Sequence, residues 1–356
     1  MTPARDVVKA LCQTETPSAR MSAGRVDAVA QRPTELVLTA RVARRYFLDG
    51  SSKTEIAEEL HISRFRVARL LESARRTGLV RIEIHSPSTV DTDLSARLQE
   101  AFGLSHAVVL DVPDDNVADL RRHLAGAAAD VLCELTGPDD VVGLAWARSL
   151  SGIGKALTNF VPCQVVQLTG ALSRPDGNDV LELVRQVASA GGGQPHFFYA
   201  PMVVGDAATT RTLKRQPDVV RAAALVPQVT IAAVGIGAWR SGLSTLFDAF
   251  EPDAREKAGR LGVTAEISGV FIDAADRPVP TALSKRIIGI SADQLAGINT
   301  VLAIAYGDAK AEAVRAAVRG GLVSALITHA SLARRLLSNA PSDLATMPDA
   351  TDVHIG

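Results

Sequence analysis

Lys53-Thr-Glu-Ile-Ala-Glu-Glu-Leu-His-Ile-Ser-Arg-Phe-Arg-Val-Ala-Arg-Leu-Leu-Glu72 is the stretch on which the reading of the whole chain turns. It holds two amphipathic segments. In the first, Ile56, Ala57 and Leu60 share a face, and Thr54 is the expected N-cap. His61-Ile62 breaks the period, and Ser63 is placed to cap the second segment. There Val67, Leu70 and Leu71 recur at helical spacing, while Arg64, Arg66 and Arg69 fall outward and Arg75 and Arg76 prolong the basic face. Small Ala57 suits two helices crossing at a steep angle. This is the pattern of a helix-turn-helix whose second helix presents cations to a major groove. Cationic helix faces are often only solvated surface. The short turn, the matching apolar set and the nearly all-cationic outer face favour DNA. His61 stands at a turn position that often takes glycine for its positive φ, which His tolerates better than a β-branched residue would.

The DNA-binding candidates are therefore Lys53, Thr54, Ser63, Arg64, Phe65, Arg66, Arg69, Arg75 and Arg76. Phe65 is expected to pack inward, with contact to a thymine methyl as the alternative. Upstream, residues 34–49 read as a supporting helix with Leu36, Ala40, Ala43 and Phe47 inward, ended by a left-handed Gly50. Downstream, Gly78 is a C-cap, and alternating Val80, Ile82 and Ile84 predict a short strand, the wing of a winged motif. Residues 34–86 form this domain. Residues 1–33 lack a period and are expected to be a flexible extension, with Met21 an alternative start.

Charge is divided along the chain. The net charge is −1 over 356 residues, yet residues 1–84 carry +5 and the remainder −6. The basic part is the part with the motif, as an electrostatic footprint on nucleic acid requires. The length implies a second domain. Cys12, Cys133 and Cys163 are few and scattered, so neither a disulfide framework nor a metal site follows, and a reducing, cytoplasmic compartment is expected. No apolar run reaches membrane-spanning length, no signal-peptide core is present, and no cofactor is expected.

Residues 87–91 read as a linker. Residues 92–103 read as a connecting helix whose Leu94, Leu98 and Phe102 serve either a core or a dimer contact. From residue 104 to 339, Val/Ile/Leu runs alternate with amphipathic helices. Strands are expected at 106–112, 140–146, 164–170, 196–204, 229–237, 286–291, 301–306 and 325–328. Helices are expected at 117–135, 150–157, 180–190, 309–318 and 331–337. The fold class is α/β, a mainly parallel sheet covered on both faces. Residues 340–356 read as a tail.

Ligands of such sheets bind at the carboxyl ends of strands. Ala147-Arg148-Ser149, Thr169-Gly170, Gly235-Ile236-Gly237 and Tyr306 through Lys310 all end or follow predicted strands. A helix start with a hydroxyl and a cation holds an anion, and glycines admit a ligand to the backbone. The alternative is plain turns and surface charges.

Taken as an ordered set, several stretches resemble the SorC family of sugar-binding transcriptional regulators, relatives of the DeoR type. They are residues 53–71 and 75–82, Val142 to Ser149, Val165 to Ala171, Tyr199-Ala-Pro201, Val234-Gly-Ile-Gly237, Ser244-Thr-Leu246, Arg286 to Ile290, Lys310 to Ala313 and Arg319 to Leu322. The likeness runs from Leu36 to Leu337. It implies an N-terminal helix-turn-helix joined to an effector domain similar to sugar-phosphate isomerases and CoA transferases. It also implies a sugar, polyol or sugar-phosphate effector, a double-stranded operator, and a homodimer or homotetramer. Carried onto this chain, the effector residues are Ala147, Arg148, Ser149, Gly170, Gly235, Gly237 and Lys310, to which Thr169, Ile236, Tyr306 and His329 are added by position. The chain departs from the family where Gly-Arg-Thr becomes Ala147-Arg148-Ser149, where Thr-Asp becomes Thr328-His329, and where Tyr306 replaces a glycine. His329 swaps an acceptor-only carboxylate for a ring that can donate, so a different or unphosphorylated polyol is also open.

The leading function is an effector-responsive transcription factor. The rival is a sugar-phosphate isomerase with an appended module, which needs a positioned general base. Asp206, Glu266 and Asp308 stand isolated in the sequence, and no paired carboxylates or His/Asp cluster accompany the glycine turns. A third possibility is a DNA-binding protein whose second domain senses nothing.

Overall fold

The computed structural model describes residues 33–80, 89–172 and 179–338. The expected extension, tail and most of the wing strand fall outside the described residues. The chain divides into two compact units between His85 and Ser86.

In the first unit, helix α1 spans Pro33–Phe47, α2 Lys53–Glu59 and α3 Arg64–Arg76. The N-cap of α2 is Ser52, not Thr54. Ser52 Oγ accepts from Glu55 N–H and the Glu55 carboxylate accepts from Ser52 N–H, a complete capping box. The helix start is thus set by the Ser-x-x-Glu spacing. Ser63 caps α3 as expected, accepting from Arg66 N–H at 3.2 Å. Between them His61 takes φ 51°, turning the chain from α2 into α3. One small core joins Val42 and Ala43 of α1, Ile56 and Ala57 of α2, and Val67, Leu70, Leu71 and Ala74 of α3. The buried face of α1 differs from the expected one. Thr39, Val42 and Ala43 are buried, whereas Leu36 and Ala40 are exposed, because the helix turns its i, i+3, i+4 set from Thr39 toward α3.

The second unit is built on a nine-stranded sheet. In chain order the strands are β1 His106–Leu110, β2 Val141–Leu144, β3 Gln164–Gln167, β4 Gln194–His196, β5 Ile231–Ala238, β6 Val263–Ile267, β7 Val270–Asp273, β8 Thr300–Ile304 and β9 Ala325–His329. The order across the sheet is β1-β9-β8-β5-β2-β3-β4, every pair parallel. Side chains alternate between two cores. Val141, Val166, Ala232 and Val234 face one, and Val142, Leu144, Val165, Ile231 and Ala233 the other. Helices Thr92–Phe102, Ala311–Arg319 and Ala330–Ser338 cover the first face. Val117–Leu135 and Val180–Gly191 cover the second.

Several expectations shift. The Thr92–Phe102 helix buries Leu94 and Leu98 in the first core, so its apolar stripe is spent within the unit. Residues 89–91 run beside β1, with Asp111 N–H donating to Thr89 O and Asp91 N–H to Val109 O, rather than hanging free. The strand expected at 196–204 stops at His196, and none forms at 286–291. These two apolar segments lie against each other through one isolated bridge, Val203 to Ile287, so their apolarity records burial and not a ladder. The helix expected at 150–157 shrinks to a 3-10 turn at Arg148–Leu150 and one turn at Ile153–Ala156.

Several elements were not anticipated, among them the helices Ala207–Leu213, Pro217–Leu225 and Pro252–Arg260 and one hairpin. Strands β6 and β7 form an antiparallel hairpin that pairs with the far end of β5, Gly237 opposite Glu266. Its two-residue turn is Ser268-Gly269, with φ 52° and 91°, the double positive φ of a type I′ hairpin.

Candidate functional site

Two sites take shape, one in each unit. On α3, Arg64, Phe65, Arg66, Arg69, Arg75 and Arg76 are all exposed. Phe65 does not pack inward. It is 83% exposed, because its position lies half a helical turn from the Val67-Leu70-Leu71-Ala74 stripe. Among the described residues, Arg64, Arg66, Arg69 and Arg76 make no ion pair. Two carboxylates of the first unit are engaged elsewhere: Glu59 accepts from Arg41 and Arg45, and Asp49 from Arg45. Hydrogen bonding from Arg45 holds the Glu59 carboxyl below the usual range. Two predicted cations are partly committed. Lys53 Nζ lies 5.8 Å from the Tyr46 ring centroid, and the Arg75 guanidinium 5.7 Å from that of Phe47. The remaining face is a free cationic surface on a two-helix turn, suited to phosphates and base edges.

In the second unit, the strand order reverses between β2 and β5. From β2 the chain proceeds outward through β3 and β4; β5 then returns to the other side of β2 and leads to β8 and β9. Such a switch point opens a crevice beyond the carboxyl ends of its strands. One cleft lies there, lined by Ala147, Arg148 and Ser149 after β2, Gly235, Ile236 and Gly237 of β5, and Tyr306 and Lys310 after β8. Three distant segments thus meet.

The glycines serve the walls more than the opening. A Cβ on Gly235 would overlap the Ala147 methyl and crowd Ser149 Oγ. On Gly237 it would overlap the Glu266 carboxylate. The absent side chains let neighbouring loops close onto β5.

The hairpin supplies what the sequence reading lacked. Glu266 and Ser268 line the cleft, with Ser244 from the loop after β5. Glu266 is buried and accepts from Ser244 Oγ at 2.8 Å. Burial raises its pKa, against the Ser244 bond and the nearby Lys310 charge. Ser268 Oγ is buried with no hydrogen-bond partner, a hydroxyl that a bound polar group would satisfy. Lys310 Nζ donates to Ile236 O at 2.8 Å and sits 5.4 Å from the Tyr306 ring centroid. Its pKa is pushed down to about 8, by burial first, with Glu266 pulling it back up and Arg148 pushing it further down. Arg148 itself donates to Gly242 O at 3.2 Å. Two cations and one carboxylate therefore face one cleft. Hydroxyls can donate to Glu266, and an anionic group can sit between Arg148 and Lys310.

Three predicted residues stand apart. Thr169 is fully buried, its Oγ1 accepting from Trp146 N–H at 2.9 Å. Gly170 donates to Ile288 O, and a Cβ there would press into the Pro201–Met202 backbone at 2.6 Å. Both shape the wall behind the cleft without lining it. His329, at the end of β9, is buried. Its Nε2 lies 3.1 Å from Ser331 Oγ and 3.4 Å from Asp114 Oδ2. Burial lowers its pKa, opposed by Asp114 and Asp308. It is buried and is not a residue of the cleft. A Ser-Gly turn signal at Ser268-Gly269 was present in the sequence; that β6 pairs with β5 was not.

Comparison with known proteins agrees with this architecture. A family model described as "Putative sugar-binding domain" matches residues 86–338. The chain is 29% identical over 307 residues to the transcriptional regulator LsrR of Klebsiella pneumoniae subsp. pneumoniae, covering 85% of this chain and 93% of that protein. It is 29% identical over 311 residues to LsrR of Enterobacter sp. (strain 638), covering 86% and 94%. The crystal structure of the full-length sorbitol operon regulator SorC from Klebsiella pneumoniae has the same fold, with TM-score 0.64 at 22% identity over 85% of this chain and 99% of that one. A sheet with its cleft at the switch point, a helix-turn-helix before it and a family match across residues 86–338 lead to one conclusion: the chain belongs to the SorC-type family of sugar-binding transcriptional regulators.

Proposed function

We propose that the chain is a DNA-binding regulator of carbohydrate or polyol catabolism whose operator affinity is set by a sugar, polyol or sugar-phosphate effector. The observation that carries this reading is the convergence of Arg148, Lys310 and the buried Glu266 on one cleft at the switch point. Acceptor and cations side by side suit a molecule with several hydroxyls and an anionic end. The free arginine face of α3 supports the DNA role, with Arg64, Arg66 and Arg69 as the first candidates for contact. The partners we assign are double-stranded operator DNA and further copies of this chain in a cytoplasmic homo-oligomer. No described helix is long and apolar enough to cross a membrane.

The test is a panel of sugars, polyols and their phosphates, each titrated into protein on an operator selected from genomic DNA. One class should shift operator affinity by ~1–3 kcal/mol, and by linkage DNA should shift that ligand's affinity equally. Tight ligand binding with unchanged operator affinity would overturn the sensor reading.

A second reading is favoured by one observation. Glu266 and Lys310 both carry shifted pKa values within one cleft, as acid–base residues do. Each is committed within the cleft, Glu266 to Ser244 and Lys310 to Ile236 O. We therefore assign the pair to binding. Turnover of pentose or hexose phosphates by the protein would reverse that assignment.

A further inference from the structure

We infer that Phe65 is a specificity-determining residue that reads the C5-methyl group of a pyrimidine in the operator. This rests on the DNA-binding reading above and adds the chemistry of one contact to it. Phe65 is the second residue of α3 and the most exposed large apolar side chain described in the first unit. Leaving a phenyl ring in water forgoes most of the benefit of burying it, so a helix built only for solvent would not place it there. Its position is also particular. Around α3 the buried stripe is Val67, Leu70, Leu71 and Ala74. Phe65 sits opposite the middle of that stripe, with Arg69 one turn on beside it. Arg64 and Arg75 lie along one edge of the outer face and Arg66 along the other.

A helix entering a major groove meets phosphates at its edges and base edges along its apex. The geometry therefore gives the edge arginines to the two backbones, and Phe65 and Arg69 to the bases. The groove floor offers one apolar feature, the thymine methyl, and its commonest specific contact for arginine is guanine. The expected operator half-site has a thymine near a guanine, read by Phe65 and Arg69. A 5-methylcytosine carries its methyl at the same ring carbon and would satisfy Phe65 equally.

The experiment selects duplexes from a random-sequence library with the full chain and with Phe65→Ala, then compares the enriched sites. Because Phe65 is outside the core, the variant folds, which its melting temperature checks; Phe65→Leu retains an apolar contact. Wild type and Phe65→Leu should enrich a fixed thymine that Phe65→Ala does not. Replacing that thymine with deoxyuridine removes only the methyl and should weaken wild-type binding roughly fourfold while leaving Phe65→Ala unchanged. Equal thymine preference in all three proteins, or indifference of wild type to deoxyuridine, overturns the inference and leaves the DNA-binding reading standing. If wild type enriches no sequence at all, the DNA-binding reading itself fails.

Discussion

The arginine face of α3 and the cleft at the β2/β5 switch point are both charged surfaces, but they are built in opposite ways. On α3 the working side chains are neighbours in sequence and exposed, and the described arginines other than Arg75 make no contact with a partner group. In the cleft they come from the turn after β2, from β5 and β6, and from the turn after β8, and the carboxylate is buried and bonded. A local, solvated charge acts at a distance and is weakened by salt. Buried charge is tuned by its surroundings and acts only on what enters. The first arrangement suits finding and holding a polyanion. The second suits responding to one small molecule.

This contrast can be broken or sharpened by experiment. The largest effect is expected within α3 itself. Leu70 is 5% exposed in a small core, so Leu70→Ala should cost ~2–5 kcal/mol and abolish DNA binding, while a calorimetric transition of the second unit persists. An unchanged scan would mean that the core does not hold α3 in place. Next, Arg66→Ala, at the edge given to the DNA backbone, should lower the slope of log affinity against log salt by about one, with an equal loss on all sequences. An Arg66→Ala protein with wild-type affinity at fixed salt removes it from the interface.

Lys310→Ala should remove the response to effector, a loss of the ~1–3 kcal/mol coupling, and spare DNA binding without effector. Wild-type induction would take Lys310 out of the site. The same lysine carries a pH signature. Its folded pKa of about 8 lies below the ordinary lysine value, so the folded cleft holds it charged only below about 8. Affinity for an anionic effector should therefore fall as pH rises through about 8, and Lys310→Arg should flatten that fall. The sign for stability is opposite. The unfolded chain binds this proton more tightly, so the stability cost of burying Lys310 is full below about 8 and is relieved between 8 and its unfolded pKa. The smallest effect is expected at Ser52. Ser52→Ala deletes one half of the α2 capping box and should cost ~1 kcal/mol, seen in melting before it is seen in binding.

The two regions also differ in how far they were legible. The turn between α2 and α3, the Ser63 cap and the inward set Val67, Leu70 and Leu71 depend on residues within a few positions of each other, and their spacing is the information. Even there, the neighbouring Ser52 took the cap expected of Thr54, since Ser52 is the residue three before Glu55. The parallel strands were legible as apolar runs because both faces of the sheet are covered. Residues 196–204 and 286–291 imitate that signal, being buried without a ladder.

Sequence alone determined which residues stand at strand ends, and so Ala147 to Ser149, Gly235 to Gly237 and Lys310 could be named before any fold was built. Tertiary structure decided which of them meet. The pairing of β6 with β5 brings Glu266 opposite Gly237. The order β9-β8-β5 carries His329 away from the cleft, and the packing behind β3 turns Thr169 and Gly170 into wall. Strand order and register join segments far apart in the chain, and no local spacing records them. A helix face needs only its own periodicity.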